Sequence, residues 1–167
     1  MAAFCFYLSS FVAIIATLLV ITNSKPVHAL LYLVVSLLAV AMIFFSLGAP
    51  FVGALEIIVY AGAIMVLFIF VVMMLNLGTQ TVNQELQWLS PKTWVGPVLL
   101  SSLLLIEFII IICMGDTGLT IGSVTVPPID VGLSLFSTYL LAVELASMLL
   151  LAALVTAYHM GREEAKD

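Results

Sequence analysis

Two side chains with acid–base chemistry, Glu56 and Tyr60, lie four residues apart in one long apolar run, EIIVYAGAIMVLFIFVVMMLN at 56–76. On a helix that spacing puts them on the same face, one turn apart. A carboxyl can take up and release a proton, and a phenol can donate and accept hydrogen bonds without ionising. The pair therefore predicts a station for protons or cations inside a membrane span. The alternatives are a Glu56 that extends toward the membrane surface and a Tyr60 that bonds to a neighbouring helix.

Two further glutamates, Glu107 and Glu144, also lie within apolar runs. An ionised group at mid-helix costs about 2.5–3.5 kcal/mol to insert, so such residues usually face protein or water. Glu107 stands in a run of Ile, Leu and Phe, which favours a structural or protonated group next to lipid. Glu144 lies among Ala142, Ala146 and Ser147, where a functional group and an interhelical hydrogen bond fit equally well.

A small triplet, Ala61-Gly62-Ala63, follows Tyr60. Glycine lets another backbone approach closely, and it lowers helix stability by about 1 kcal/mol relative to alanine. The triplet therefore predicts either close helix packing or a soft turn that can change its winding.

The composition places these residues in a membrane protein. Of the 167 residues, 65% are hydrophobic and 8% are charged, whereas a soluble domain has about 25% charged residues. The apolar runs are long and do not alternate, so we predict an all-α membrane protein rather than a β-barrel. One subunit, 1–167, is expected to contain five transmembrane helices at about 4–21, 27–47, 54–77, 95–114 and 133–159, each near the roughly 20 residues that a crossing needs.

The connections and the basic residues predict how these helices are arranged. Residues 23–26 and 48–50 form tight connections, so the first three helices should pack antiparallel in sequence order. Five spans place every basic residue on one side, and the positive-inside rule then puts the N-terminus outside and the C-terminus in the cytoplasm or matrix. The basic residues are Lys25, Lys92, Arg162 and Lys166. Trp88 and Trp94 are expected at the inner interface.

Several classes of function are disfavoured. The formal charge of −5 and the lack of a basic patch argue against nucleic acid. Cys5 and Cys113 have no metal-ligand spacing and fit apolar filling. There is no phosphate loop, no Ser/His/Asp set and no haem or iron–sulfur pattern. We therefore expect no cofactor, no metal and no catalytic residue in this chain alone.

Three blocks of the sequence carry a resemblance to a known family. They are KPVHALLYLVVSLLAVAMIFFSLGA at 25–49, GALEIIVYAGAIMVLFIFVVMMLNL at 53–77 and LAVELASMLLLAALVTAYHMGREE at 141–164. These blocks closely resemble the subunit J family of the bacterial proton-translocating NADH:quinone oxidoreductase, respiratory complex I, whose mitochondrial counterpart is subunit six. The resemblance covers nearly the whole chain, but 115–130 and the stretch around Glu107 match no motif of the family.

The resemblance implies a five-helix subunit of the membrane arm in the bacterial inner membrane, with its N-terminus in the periplasm and its C-terminus in the cytoplasm. Such a subunit helps to couple NADH:quinone electron transfer to proton translocation and performs no redox step itself. Its implied partners are lipid, the quinone-site subunit, the small membrane subunits and the antiporter-like subunits. FMN, iron–sulfur clusters and quinone would be bound elsewhere in the complex.

The resemblance also implies a moving part, because the third helix of the family can carry a π-bulge, one extra residue in a turn. Here the bulge would lie at about Tyr60–Phe68. Its loss would rotate the rest of the helix by about 100° and open or close a water path between the quinone cavity and the antiporter-like subunits.

Seven residues take implied roles in this gate. Glu56 and Tyr60 would line its polar side, and Gly62 would let the helix rewind. Met65, Val66 and Phe68 would form an apolar plug, and Glu144, in the motif VELAS, would hold or hydrate the bundle.

Three alternative functions fit parts of the sequence. A related cation/proton antiporter or membrane-bound hydrogenase complex would contain the same five-helix module without quinone coupling. A stand-alone channel or transporter fits poorly, because such proteins often show duplicated halves and this chain shows no repeat. A purely structural liner of the complex would need no moving third helix.

Overall fold

The computed structural model describes residues 2–24, 26–75, 91–114 and 125–161. In this part of the chain five helices are long and apolar enough to cross a membrane, which confirms the predicted all-helical class and number of spans. The helices are α1 (Ala2–Thr22), α2 (Pro26–Ser46), α3 (Pro50–Leu55), a π-helix (Glu56–Ile64), α4 (Met65–Leu75), α5 (Pro91–Met114), α6 (Pro128–Phe136) and α7 (Leu140–Gly161). The third span consists of α3, the π-helix and α4 in direct succession.

The orientation in the membrane stays a prediction. Lys25, Trp88, Arg162 and Lys166 lie outside the described residues, as do both longer connections at 76–90 and 115–124.

The two tight connections form as the sequence predicts. Pro26 is the first residue of α2, where its missing N–H costs nothing and its fixed φ suits a helix start. After α2, Gly48 adopts a left-handed φ of 81°. The Gly48 N–H donates to Phe45 O and the Ala49 N–H donates to Phe44 O, the Schellman pattern that closes a helix C-terminus. Pro50 then opens α3, so the second connection reverses the chain within three residues.

The described residues up to Val126 form one compact unit with α2 at its centre, since α2 contacts α1, all parts of the third span and α5. Its core joins side chains from three helices: Val12 and Ala16 of α1, Val35, Ala39 and Met42 of α2, and Leu104 of α5. Two of these are alanines that are fully buried. Small residues at such positions let helix backbones approach closely in a membrane, where packing rather than hydrophobic burial drives association.

A glycine sets the distance between α2 and the third span. A β-carbon added at Gly53 would lie 3.0 Å from Ala41 O and 3.0 Å from the Phe45 ring. The backbone oxygen of α2 cannot move aside without disturbing its own helix, so the close approach requires a glycine at this position.

Residues 127–161 belong to a second unit, formed by α6 and α7. The fifth span was predicted as one helix over 133–159, but the structure interrupts it at Ser137–Tyr139. Ser137 leaves the helical region with φ −121° and ψ −82°, its hydroxyl donates to Leu133 O, and the Tyr139 N–H donates to Ser134 O. The remaining 22-residue helix α7 is still long enough to cross a membrane.

Candidate functional site in the third span

The third span contains a π-helix of nine residues, Glu56–Ile64, with α-helix on both sides. At its end the Met65 N–H donates to Tyr60 O, five residues earlier, instead of four. π-Helices are rare overall, and those that occur often lie at functional sites. The sequence resemblance implied a bulge at about 60–68, so the observed segment overlaps that range at 60–64 and begins four residues before it.

Gly62 stands inside this wider turn. A β-carbon added there would lie 3.1 Å from Ile57 O, five residues back in the same helix, and no other atom outside its own turn lies within 4 Å. The contact exists because the π-helical register points that carbonyl at residue 62. The close approach of a second backbone, which the sequence allowed at Gly62, occurs instead at Gly53.

The two polar side chains lie in the first half of the π-helix. Glu56 is its first residue and is partly exposed, and Tyr60 is 53% exposed. In a helix with five-residue hydrogen bonding, residues four or five apart stand above each other. Glu56 and Tyr60 therefore keep a common side, as the spacing predicted.

The three predicted plug residues do not share a face. Met65 is 6% exposed, whereas Val66 and Phe68 are 61% and 51% exposed. Met65 forms the inner face of α4 with the partly buried Ile69 and Val72, at the i, i+4, i+7 spacing of one helix stripe. This face belongs to the contact between α4 and α2.

An apolar cavity of about 490 Å³ adjoins the start of the π-helix. Ile57 borders it on one side, Leu38 and Met42 of α2 on another, and α5 lines the rest. The α5 lining consists of Val98, Ser101, Ser102, Leu104, Leu105 and Phe108. The two serine hydroxyls donate to carbonyls of their own helix, Val98 O and Leu99 O. The cavity is therefore apolar and provides room for side chains to move.

The other two predicted glutamates differ in their burial and in their hydrogen bonds. Glu107 was expected to be a structural or protonated group next to lipid. The position next to lipid is wrong, because the side chain is 2% exposed and accepts a hydrogen bond from Ser9 of α1, which agrees with a structural role. Sequence reasoning missed this pair because 98 residues separate its members. Glu144 lies in α7 and its side chain is exposed in that unit. Ser147, one turn further along the same face, donates a hydrogen bond from its hydroxyl to the backbone oxygen of Glu144.

Within the described part of the chain, no group of three His, Cys, Asp or Glu side chains is placed to hold a metal ion. That the chain binds no cofactor of its own stays a prediction.

These features define a class first: a multi-spanning membrane protein with a π-helix in the middle of its third span. Comparison with known proteins identifies the family within this class. The family model of NADH-ubiquinone/plastoquinone oxidoreductase chain 6 matches residues 16–160, and this chain belongs to that family.

Named relatives agree with the family assignment. NADH-quinone oxidoreductase subunit J of Pseudomonas aeruginosa is 64% identical over 164 residues, which cover 98% of this chain and 99% of that protein. The subunit J of Escherichia coli K12 is 59% identical over 162 residues, or 96% of this chain and 87% of that protein. The subunit J of Buchnera aphidicola subsp. Schizaphis graminum is 49% identical over 162 residues, or 96% of this chain and 98% of that protein.

Proposed function

We propose that this chain is a membrane-arm subunit of a bacterial proton-translocating NADH:quinone oxidoreductase, located in the inner membrane with its C-terminus in the cytoplasm. The family match and the names of the relatives support this assignment. In this role the chain binds no redox cofactor, and FMN, iron–sulfur clusters and quinone belong to other subunits. Its partners are the quinone-site subunit, the small membrane subunits, the antiporter-like subunits and lipid.

The third span acts as a switch between two windings. The observation that carries this proposal is a π-helix at Glu56–Ile64 with α-helix on both sides. When the π-helix changes to an α-helix, its turns take up one residue fewer. The part of the helix that follows then rotates about 100° further in the direction of winding. The α3 end is held by the close contact at Gly53, so α4 is the part that rotates.

The rotation exchanges the side chains that face α2. Viewed along the axis of an α-helix, Phe68 lies about 60° from Met65, and Val71 about 120° from it, both against the direction of winding. After the rotation Phe68 and Val71 come within about 40° and 20° of the direction that Met65 now occupies. An exposed aromatic ring thus replaces a thioether at the α2 contact, while Val66 stays on the outer side. Of the predicted plug residues, Phe68 thus replaces Met65 at the α2 contact, Met65 turns to the direction that Val66 now occupies, and this replacement controls a water path.

The polar residues act at the fixed end of the switch. Glu56 and Tyr60 line the water path, Gly62 allows both windings, and the apolar cavity beside Ile57 gives the rewinding helix room. Glu144 helps to hold or hydrate the helices of the assembled complex.

Membership in the complex is tested by affinity purification of the tagged chain from a bacterial membrane. We expect flavin and iron–sulfur absorbance and inhibitor-sensitive NADH:quinone activity to co-purify with it. Recovery with a cation/proton antiporter or a hydrogenase, without these absorbances, would instead favour the related complexes.

The polar side of the path is tested with Tyr60→Phe, which removes one hydroxyl and keeps the ring. We expect fewer protons pumped per NADH oxidised in membrane vesicles, because the phenol hydroxyl no longer bridges the water path. Tyr158→Phe, in α7, is the matched control and should leave the ratio unchanged. An unchanged ratio in Tyr60→Phe would remove this residue from the path.

A further inference from the structure

A buried carboxyl joins α1 to α5, away from the residues used above. Glu107 is 2% exposed and Ser9 is 0% exposed. The Ser9 hydroxyl donates to Oε1 of Glu107 at 2.6 Å. The bond connects two helices that are distant in sequence, so it fixes their register in the bundle.

The second oxygen of this carboxyl, Oε2, has no hydrogen-bond partner among the described residues. Oε2 of Glu107 is buried and makes no hydrogen bond within the part of the chain that the structure describes. The Cys5 thiol of α1 is buried one turn before Ser9, on the same side of that helix. The next residue of α5, Phe108, packs edge-on against Phe45 of α2, with ring centroids 5.7 Å apart.

An ionised carboxyl does not suit these surroundings. A buried charge is stable where it is paired or fully hydrogen-bonded, and one hydroxyl donor on one oxygen satisfies neither condition. A neutral carboxylic acid fits better. Its carbonyl oxygen accepts the one bond that is offered, and its hydroxyl carries no net charge into the apolar packing. The neutral form is the less costly of the two even without an acceptor for its O–H.

We propose that Glu107 is a proton-binding site of this subunit, with the proton on Oε2 and the Ser9 hydrogen bond on the carbonyl oxygen Oε1. The bound proton removes the charge of the buried group, and Oε1 still accepts the interhelical hydrogen bond between α1 and α5. The proposal does not depend on any rewinding of the third span, and Glu107 lies in no motif that carried the family resemblance.

Infrared difference spectroscopy on the assembled complex tests the site. The wild-type spectrum minus that of Glu107→Gln at neutral pH should contain the carbonyl stretch of one protonated carboxylic acid. Ser9→Ala should shift this band to higher frequency, because its carbonyl oxygen loses a hydrogen bond. Ser10→Ala is the matched control, since the Ser10 hydroxyl donates to Phe6 O within α1, and it should leave the band in place.

Two spectroscopic results and one failure of assembly would overturn the proposal. One is a difference spectrum with carboxylate stretches in place of the acid band. The other is a band that does not respond to Ser9→Ala. Glutamine is nearly isosteric with the neutral acid and offers the same oxygen to Ser9, so Glu107→Gln should assemble. Failure of this variant to assemble would itself contradict a neutral acid at this position.

Discussion

The substitution Gly62→Ala tests the π-helix with a single methyl group. In the π-helical register the new β-carbon lies 3.1 Å from Ile57 O, closer than a carbon and an oxygen normally pack. That oxygen belongs to the helix itself and cannot move away without weakening its own five-residue hydrogen bonding. In an α-helical register residue 62 faces the carbonyl of Ile58, four residues back, at the spacing that every alanine in an α-helix accepts.

The size of the effect follows from the cost of one extra methyl group in a tight site. Such overpacking costs about 1–3 kcal/mol, and the lower value applies because a shift of a few tenths of an ångström relieves the contact. About 1 kcal/mol changes an equilibrium by a factor of about five. Gly62→Ala should therefore lower the ratio of the π to the α form about fivefold.

Proton pumping and NADH oxidation, measured together in inside-out membrane vesicles, report the result. We expect Gly62→Ala to assemble and to oxidise NADH, but to pump fewer protons per NADH oxidised, and the larger Gly62→Val to pump fewer still. The control is Gly161→Ala, where an added β-carbon meets no atom within 4 Å. Full assembly with a wild-type pumping ratio in both Gly62 variants would refute the reasoning.

Two further predictions concern packing of the third span. Gly53→Val places a side chain against Ala41 O and the Phe45 ring, each 3.0 Å from the β-carbon position. It should prevent assembly, measured as the amount of complex recovered from membranes. The control is Gly132→Val, where an added β-carbon meets no atom within 4 Å, and equal recovery of the two variants would contradict the close approach. Met65→Ala empties a position that is 6% exposed and should destabilise the subunit by about 2–5 kcal/mol, seen as a lower thermal midpoint of the complex. A midpoint equal to the wild type would mean that Met65 does not pack on α2.

The spans could be predicted from the sequence because each depends on local composition. About 20 apolar residues in succession have one stable arrangement in a bilayer, a helix. Pro26 and Gly48 likewise act on their own stretch of backbone, so the places of the first two connections could be predicted, although the third span begins at Pro50 and not at 54 as expected. The break at Ser137–Tyr139 was not, because an apolar run interrupted only by Ser and Thr gives no breaker signal.

The site residues were harder to place, because contacts between distant residues decide their surroundings. Glu107 was expected next to lipid until Ser9, 98 residues away, was found beside it. Gly62 and Gly53 have similar apolar flanks, yet only Gly53 meets another helix. The π-helix differs from an α-helix in the register of its hydrogen bonds rather than in residue preference, so the resemblance implied a bulge but misplaced its start.

The most direct measurement is a high-resolution structure of the assembled membrane complex in two states, with and without a quinone-site inhibitor, compared over residues 56–68. The switch predicts the π-helix in one state and a continuous α-helix in the other, with Phe68 in place of Met65 against α2 and ordered water changing with it. The same π-helix in both states would contradict the switch and make this chain a fixed liner of the membrane arm.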